Sequence, residues 1–181
     1  MKIQRKMDKE EFFRPPDNRN YTEKYRSTLH LLRRDLEELY GKEGDCEGLI
    51  KAPFLCALGI MSGIELLTKI YVGKAKTDRS DIIEFIKICG IKKAKAIYQF
   101  RCALSHGYGL NAVDRGGKKY RFQLTEEKCG DMMQEMEEGL YRISIIRLKE
   151  EFVRCIEYLK NNMKEIKFIA VPSPLRWIEI T

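Results

Sequence analysis

From Leu49 to Val72 the chain is apolar almost all the way round, and Gly73 follows. A helix with that composition has no wet face, so it must be surrounded by other elements, and the rest of the chain has to be built around it. Its longest uncharged stretch, Ala52 to Ile64, is interrupted by Pro53, Gly59, Ser62 and Gly63, and it falls short of the ~20 residues a bilayer span requires. We therefore read it as the buried central helix of one core. The chain has 181 residues, 44% of them hydrophobic, which suits one sizeable core better than two, so residues 1–181 are expected to form a single domain.

Around this helix the periodicity supplies partners. Residues 1–19 are a charged arm, and Pro15-Pro16 stops any helix that Glu10 to Phe13 begins, so the arm reads as a leader that packs late or not at all. Between Tyr21 and Tyr40, Tyr25, Leu29, Leu32, Leu36 and Leu39 recur at helical spacing, and Gly41 and Gly44 stop the helix. Asp78 or Ser80 can cap a helix over Asp81–Cys89, closed by Gly90. A fourth helix spans Ile91–His106 with Lys92, Lys93 and Lys95 in its first turn. Such a cluster is most often just a solvated first turn, although its lysines slightly oppose the helix dipole and so tolerate or want a neighbouring anion.

After Gly109 the period changes. Lys119 to Leu124 alternates polar and apolar residues, and Asp114-Arg115-Gly116-Gly117 has turn chemistry, so a hairpin is expected with its first arm near Leu110 to Val113. Thr125 to Gly139 is acidic and Met-rich and reads as a short helix or ordered loop. Tyr141 to Ile145 alternates as well, allowing a third strand or a helix start. Leu148, Phe152, Ile156 and Leu159 place the last long helix over Ile145–Lys160. Residues 164–181 form an extended tail with Pro172, Pro174 and a pinned Trp177. The expected fold is mainly α: an antiparallel bundle of four to five long helices with a small β-hairpin and loop insertion at 110–144, before the last helix.

Charge narrows the function classes. The formal net charge is +7, from 34 basic and 27 acidic residues, which favours polyanionic partners, nucleic acid above all, without making the whole surface basic. The six cysteines, Cys46, Cys56, Cys89, Cys102, Cys129 and Cys155, show no C-x-x-C spacing and are expected as small, reduced, partly buried side chains. The first residues lack the apolar core of a signal peptide, so the expected location is the cytoplasm, with no membrane partner.

One segment concentrates chemistry. Arg101-Cys102-Ala103-Leu104-Ser105-His106, followed by Gly107, Tyr108 and Gly109, brings a cation, an imidazole, a hydroxyl and a phenol within two turns of a helix C-terminus. Glu65 is a carboxylate set between Ile64 and Leu66-Leu67 of the central helix. Either a cation meets it there, with Arg101 as a candidate, or it sits at an edge paired with Lys69. His30, flanked by leucines in the first helix, reads as structural.

Arg101 and His106, with Tyr108 two residues on, resemble the R-x4-H-x-Y motif of the HEPN family (higher eukaryotes and prokaryotes nucleotide-binding). The resemblance covers roughly Tyr21 to Asn162. It implies a HEPN-like helical bundle, a homodimer, and metal-independent endoribonuclease activity with catalytic Arg101 and His106. It also implies a role as a toxin or defence effector with an antitoxin or defence-system partner protein. No cofactor and no metal follow from it. Under the same resemblance Tyr108 is either a core aromatic or a hydroxyl that an antitoxin modifies. One position departs from the pattern: Cys102 stands where active members usually carry a polar residue. The alternative is therefore a non-catalytic HEPN-like module that binds nucleic acid or a partner protein.

The residue types fit RNA cleavage on their own chemistry. A base must take the 2′-OH proton, an acid must serve the leaving oxygen, and a cation must stabilise the charge developing on the phosphate. His106 suits the proton transfers near neutrality and Arg101 the phosphate, because its planar fork matches two oxygens. Glu65 and Tyr108 are supporting or positioning candidates, and Arg115, Lys118, Lys119 and Arg121 are candidate contacts to the RNA backbone. Five residues of helix correspond to about 140° of rotation and about 7.5 Å of rise, so the pair does not share one face. Either His106 leaves the helix, or the pair works across a two-fold interface with a second copy.

Overall fold

The structure is a computed structural model that describes residues 9–14, 25–26, 28–40, 50, 52–107, 109–128, 130–162 and 178–179. In chain order the elements are α1 (Lys9–Phe13), β1 (Tyr25–Arg26), α2 (Thr28–Tyr40), α3 (Pro53–Val72), α4 (Arg79–Ile88) and α5 (Ala94–Gly107). They continue with β2 (Asn111–Val113), β3 (Lys119–Thr125), β4 (Met133–Glu137), β5 (Leu140–Ser144), α6 (Ile145–Asn162) and β6 (Ile178–Glu179).

Helix α3 is the centre. It begins with Pro53 in its first turn, where a missing N–H costs nothing, and it stops at Gly73 in the left-handed conformation (φ 66°). It packs against α2, α4, α5 and α6, and Cys56, Ala57, Ile60, Met61, Ile64 and Leu67 are buried along it. Gly63 sets how closely α3 approaches its neighbours: an added Cβ would lie 2.6 Å from the Phe152 ring of α6 and 2.8 Å from Leu32 of α2. Among the described residues α3 alone has the length and apolarity of a membrane span, and half of that window is buried inside the fold.

The flanking helices follow their local signals. Asp78 caps α4 by accepting the Asp81 N–H at 2.9 Å, while the Asp81 side chain accepts the Asp78 N–H at 3.0 Å, a reciprocal capping box. The amphipathic helix expected from Tyr21 begins instead at Thr28, and residues 25–26 pair antiparallel with 178–179 of the C-terminal tail. The N-terminal arm also differs from expectation. Helix α1 ends at Phe13, ahead of Pro15-Pro16 as expected, but the arm packs, with Phe12 and Phe13 buried in the core against α2 and α6. Trp177 and the rest of the tail lie outside the described residues.

The largest correction concerns the fold class. The chain is not a mainly α, HEPN-like bundle carrying a small hairpin, because residues 111–144 build a four-stranded mixed sheet in the order β2-β3-β5-β4. The β2–β3 hairpin is present as expected. Asp114 folds its turn by accepting the N–H groups of Gly116 at 2.9 Å and Lys118 at 3.0 Å. The acidic segment expected as helix or loop contains β4, an antiparallel edge strand on β5, and β5 in turn lies parallel to β3 with Phe122 beside Tyr141 and Leu124 beside Ile143. Strand β4 was hidden because Met133-Gln134-Glu135-Met136-Glu137 is exposed at all but its first residue and so carries no alternation. The β4–β5 turn depends on Gly139 (φ 73°), where a Cβ would come within 2.7 Å of the Lys119 carbonyl.

One face of the sheet, through Tyr120, Phe122, Tyr141 and Ile143, is buried, and Phe122 meets Phe100 of α5 with ring centroids 5.1 Å apart. Strand β5 runs directly into α6. Buried Ser144 caps that helix, accepting the Arg147 N–H at 3.3 Å and donating to the Glu127 carbonyl at 2.6 Å.

Candidate active site

Helix α5 carries Arg101 and His106 on its last two turns, and α3 supplies the groups opposite. Phe100, Ala103 and Leu104 are buried and anchor this end of α5 in the core, which leaves Arg101 half-buried and His106 exposed. The helix ends at Gly107, and the Gly109 N–H returns to the Ala103 carbonyl at 3.2 Å, wrapping the chain back over the last turn.

Arg101 and His106 meet within one chain. Arg101 Nη1 lies 3.0 Å from His106 Nε2, and His106 remains inside α5. Neither arrangement expected from the helical spacing is needed, because side chains on a helix lean toward its N-terminus and a long arginine stem covers the remaining rise. A guanidinium can only donate, so in this contact His106 Nε2 is the acceptor.

Glu65 fixes the other side of Arg101. Its Oε2 accepts from both Nε (3.1 Å) and Nη2 of Arg101, while its Oε1 pairs with Lys69 Nζ at 3.1 Å, one turn along α3. Both readings of Glu65 therefore hold together: a cation from another helix meets it, and its i,i+4 lysine does too. The three side chains are 15–24% exposed, so this pair is shielded well beyond the level of a surface bridge. Burial pushes the Glu65 carboxyl up, but the hydrogen bonds from Arg101 and Lys69 outweigh it and leave the group below its ordinary value. Burial disfavours the Arg101 charge, and Glu65 more than restores it.

Two cations on one carboxylate leave the cluster net positive. Arg101 engages Nε and Nη2 with Glu65 and Nη1 with His106, which fixes the guanidinium plane beside an exposed imidazole. A guanidinium is the side-chain group best matched to phosphate oxygens.

The supporting candidates divide. Cys102 is half-buried beside Arg101 and beside Tyr98, one turn back on the same face, and Arg79 lies over the Tyr98 ring with its guanidinium carbon 5.7 Å from the centroid. The i,i+4 spacing of Tyr98 and Cys102 was the available signal for that contact. Tyr108 lies outside the described residues. His30 is buried in α2, as expected of a structural histidine.

Of the four hairpin cations, Arg121 is paired with Glu137 at 2.6 Å, and Arg115 and Lys119 are exposed on the turn and on the outer face of β3. Lys118 stacks over Tyr120 at 5.6 Å and joins lysines from the other end of α5 rather than Arg101 and His106. Cys56, Cys89, Cys102 and Cys155 are free thiols. Among the described residues no group of three or more His, Cys, Asp or Glu side chains is placed to hold a metal ion.

No protein-family model, no curated protein and no solved structure matches this chain. Function has to be argued from the site.

Proposed function

We propose that this protein is a metal-independent endoribonuclease that uses Arg101 and His106 in the manner of the HEPN motif, on an α+β scaffold. The observation that carries the reading is the 3.0 Å contact between Arg101 Nη1 and His106 Nε2 at an exposed helix end. With RNA bound, Arg101 turns Nη1 from His106 to a phosphate oxygen and so releases Nε2. That nitrogen then takes the 2′-OH proton, and the resulting imidazolium serves the leaving 5′-oxygen. Glu65 holds the guanidinium plane, as a positioning residue.

Homodimerisation, a cytoplasmic location and a role as a toxin or defence effector with a partner protein belong to the same proposal. Homodimerisation and the effector role rest on the resemblance of the motif alone.

The test is incubation of the full chain with single-stranded and structured RNA in EDTA. Wild type is expected to cut and His106→Ala to lose at least a hundredfold in rate. Equal trace cleavage by both would end the proposal.

A second reading has its own support, because at rest the His106 lone pair is taken by Arg101 and Arg101 is held by Glu65. In that reading the site is a fixed element of a non-catalytic module that binds nucleic acid or a partner protein. Salt-sensitive RNA binding with no product would favour it.

A further inference from the structure

The N-terminal end of α5 carries a different concentration of charge. A cavity of about 550 Å³ lies between the α4–α5 connection and the sheet, lined by Lys87, Lys92, Lys93, Lys95 and Lys118. Tyr120 and Tyr141 form part of its wall, their rings nearly parallel with centroids 6.0 Å apart. Its one lining carboxylate is Glu135 on β4, the cross-strand partner of Tyr141. Glu135 is engaged, since burial and the hydrogen bond to it push the Tyr141 phenol up to about 12, so at neutrality that hydroxyl is a donor.

We propose that this cavity binds a compact polyphosphate anion, the chemistry shared by inorganic tripolyphosphate and the triphosphate of a nucleotide. Four observations converge on it. Among the described residues, none of the five lysines has a carboxylate within salt-bridge distance, whereas Lys69, Lys74 and Lys128 each do. The first turn of α5 contains no acid, so its dipole and its lysines both favour a negative charge in the same place. Lys93 holds a left-handed backbone (φ 58°), a conformation costly for a side chain of that size. From there its ammonium reaches across to the Met133 carbonyl at 3.3 Å, tying the helix connection to the sheet on the other side.

Size and charge select the class. The volume falls in the range of small-molecule sites, about 300–1,000 Å³, a size that suits a compact ligand better than an extended strand. One phosphate group carries about two negative charges near neutrality, so five lysines call for several phosphates. The tyrosine rings are 7% and 5% exposed, too buried to stack on a base, so they act as rigid walls that keep the lysine heads apart. The cavity is separate from Arg101 and His106: the 14 residues of α5 place its ends about 20 Å apart.

The test titrates the full chain calorimetrically with tripolyphosphate, orthophosphate, a nucleoside triphosphate, its free nucleoside and a short single-stranded RNA. The variants are Lys92→Ala/Lys95→Ala, both exposed, and Lys76→Ala/Lys160→Ala as a charge-matched control. Tripolyphosphate is expected to bind at least tenfold more tightly than orthophosphate, and the free nucleoside not to bind. The Lys92/Lys95 variant should weaken tripolyphosphate at least tenfold and the control by less than twofold. A nucleoside triphosphate binding more tightly than tripolyphosphate would make a nucleotide the source, and equal binding would make it the polyphosphate itself; both support the site. Equal weakening by the two double variants would overturn it in favour of diffuse surface charge. Binding of RNA without tripolyphosphate would overturn it in favour of a strand-binding groove. Because RNA cleavage is not read in this experiment, its outcome is independent of the nuclease proposal.

Discussion

The two ends of α5 handle positive charge in opposite ways. At the C-terminal end, Arg101 and Lys69 converge on Glu65 in a half-buried setting, and each donor is aimed at a defined acceptor. At the N-terminal end five lysines share a cavity with one carboxylate that is already engaged, and the helix dipole opposes them. Matched charge fixes geometry, which suits a site that must present an imidazole and a guanidinium together. Unmatched charge costs stability in the free protein and is relieved only when an anion arrives, which suits a site that binds.

Substitutions can break or sharpen that contrast. The largest effect is expected from His106→Ala, which should lower RNA cleavage by about 10²–10⁴-fold. Because His106 is exposed, its loss should leave the unfolding free energy measured in urea within about 0.5 kcal/mol of wild type. Next in size is Glu65→Ala. It strands Arg101 at 15% exposure without its carboxylate, and a loss of about 2–3 kcal/mol in chemical denaturation is expected. The Lys92→Ala/Lys95→Ala protein should match wild type or exceed it by a few tenths of a kcal/mol. Similar losses at both ends would show that the contrast is not one of matched against unmatched charge.

A pH series separates the ends further. The folded-state carboxyl of Glu65 lies below its ordinary value of 4.5, so its contribution is present above that pH and disappears as the pH falls through the depressed folded value. Stability of wild type should therefore decline more steeply than that of Glu65→Gln between neutrality and pH 3; parallel curves would remove Glu65 from the account. The smallest effect is that of salt. Raising sodium chloride from about 0.05 M to about 0.5 M shortens the screening length and should close the few-tenths gap between Lys92→Ala/Lys95→Ala and wild type.

What was legible in the sequence follows from how local each signal is. Leu49–Val72 declared a surrounded helix, and α3 is one, begun by Pro53 and stopped by Gly73. The capping of α4 by Asp78 and the Asp114 turn are likewise written in a few adjacent residues. The sheet was not, because its character comes from pairing at a distance. Met133 to Glu137 has no strand pattern of its own and becomes a strand only because β5 offers an open edge. Phe12 and Phe13 were likewise underrated inside a charged arm, since burial depends on where α2 and α6 leave room.

At the site, Arg101, His106 and Glu65 were all singled out, and the structure brings them together. Their relative placement was misjudged because the spacing argument treated side chains as spokes and neglected the length of arginine. Lys92, Lys93 and Lys95 were visible as a cluster, read first as a solvated helix turn that tolerates or wants an anion. That Lys87 and Lys118 complete it depends on the sheet, and so lay beyond a linear reading.

The parallel pairing of β3 with β5 has a consequence for how the molecule is assembled in time. The β2–β3 and β4–β5 hairpins each close through a short turn, whereas the seam between them joins residues nearly twenty positions apart in register, as in Phe122 with Tyr141. Loop closure makes such a seam the slower event, so two hairpins would form first and zip together afterwards. In pulse-labelled hydrogen exchange, amides of β3 and β5 that bond across the seam should gain protection later than those bonding within either hairpin. Simultaneous protection would indicate a sheet that forms in one step.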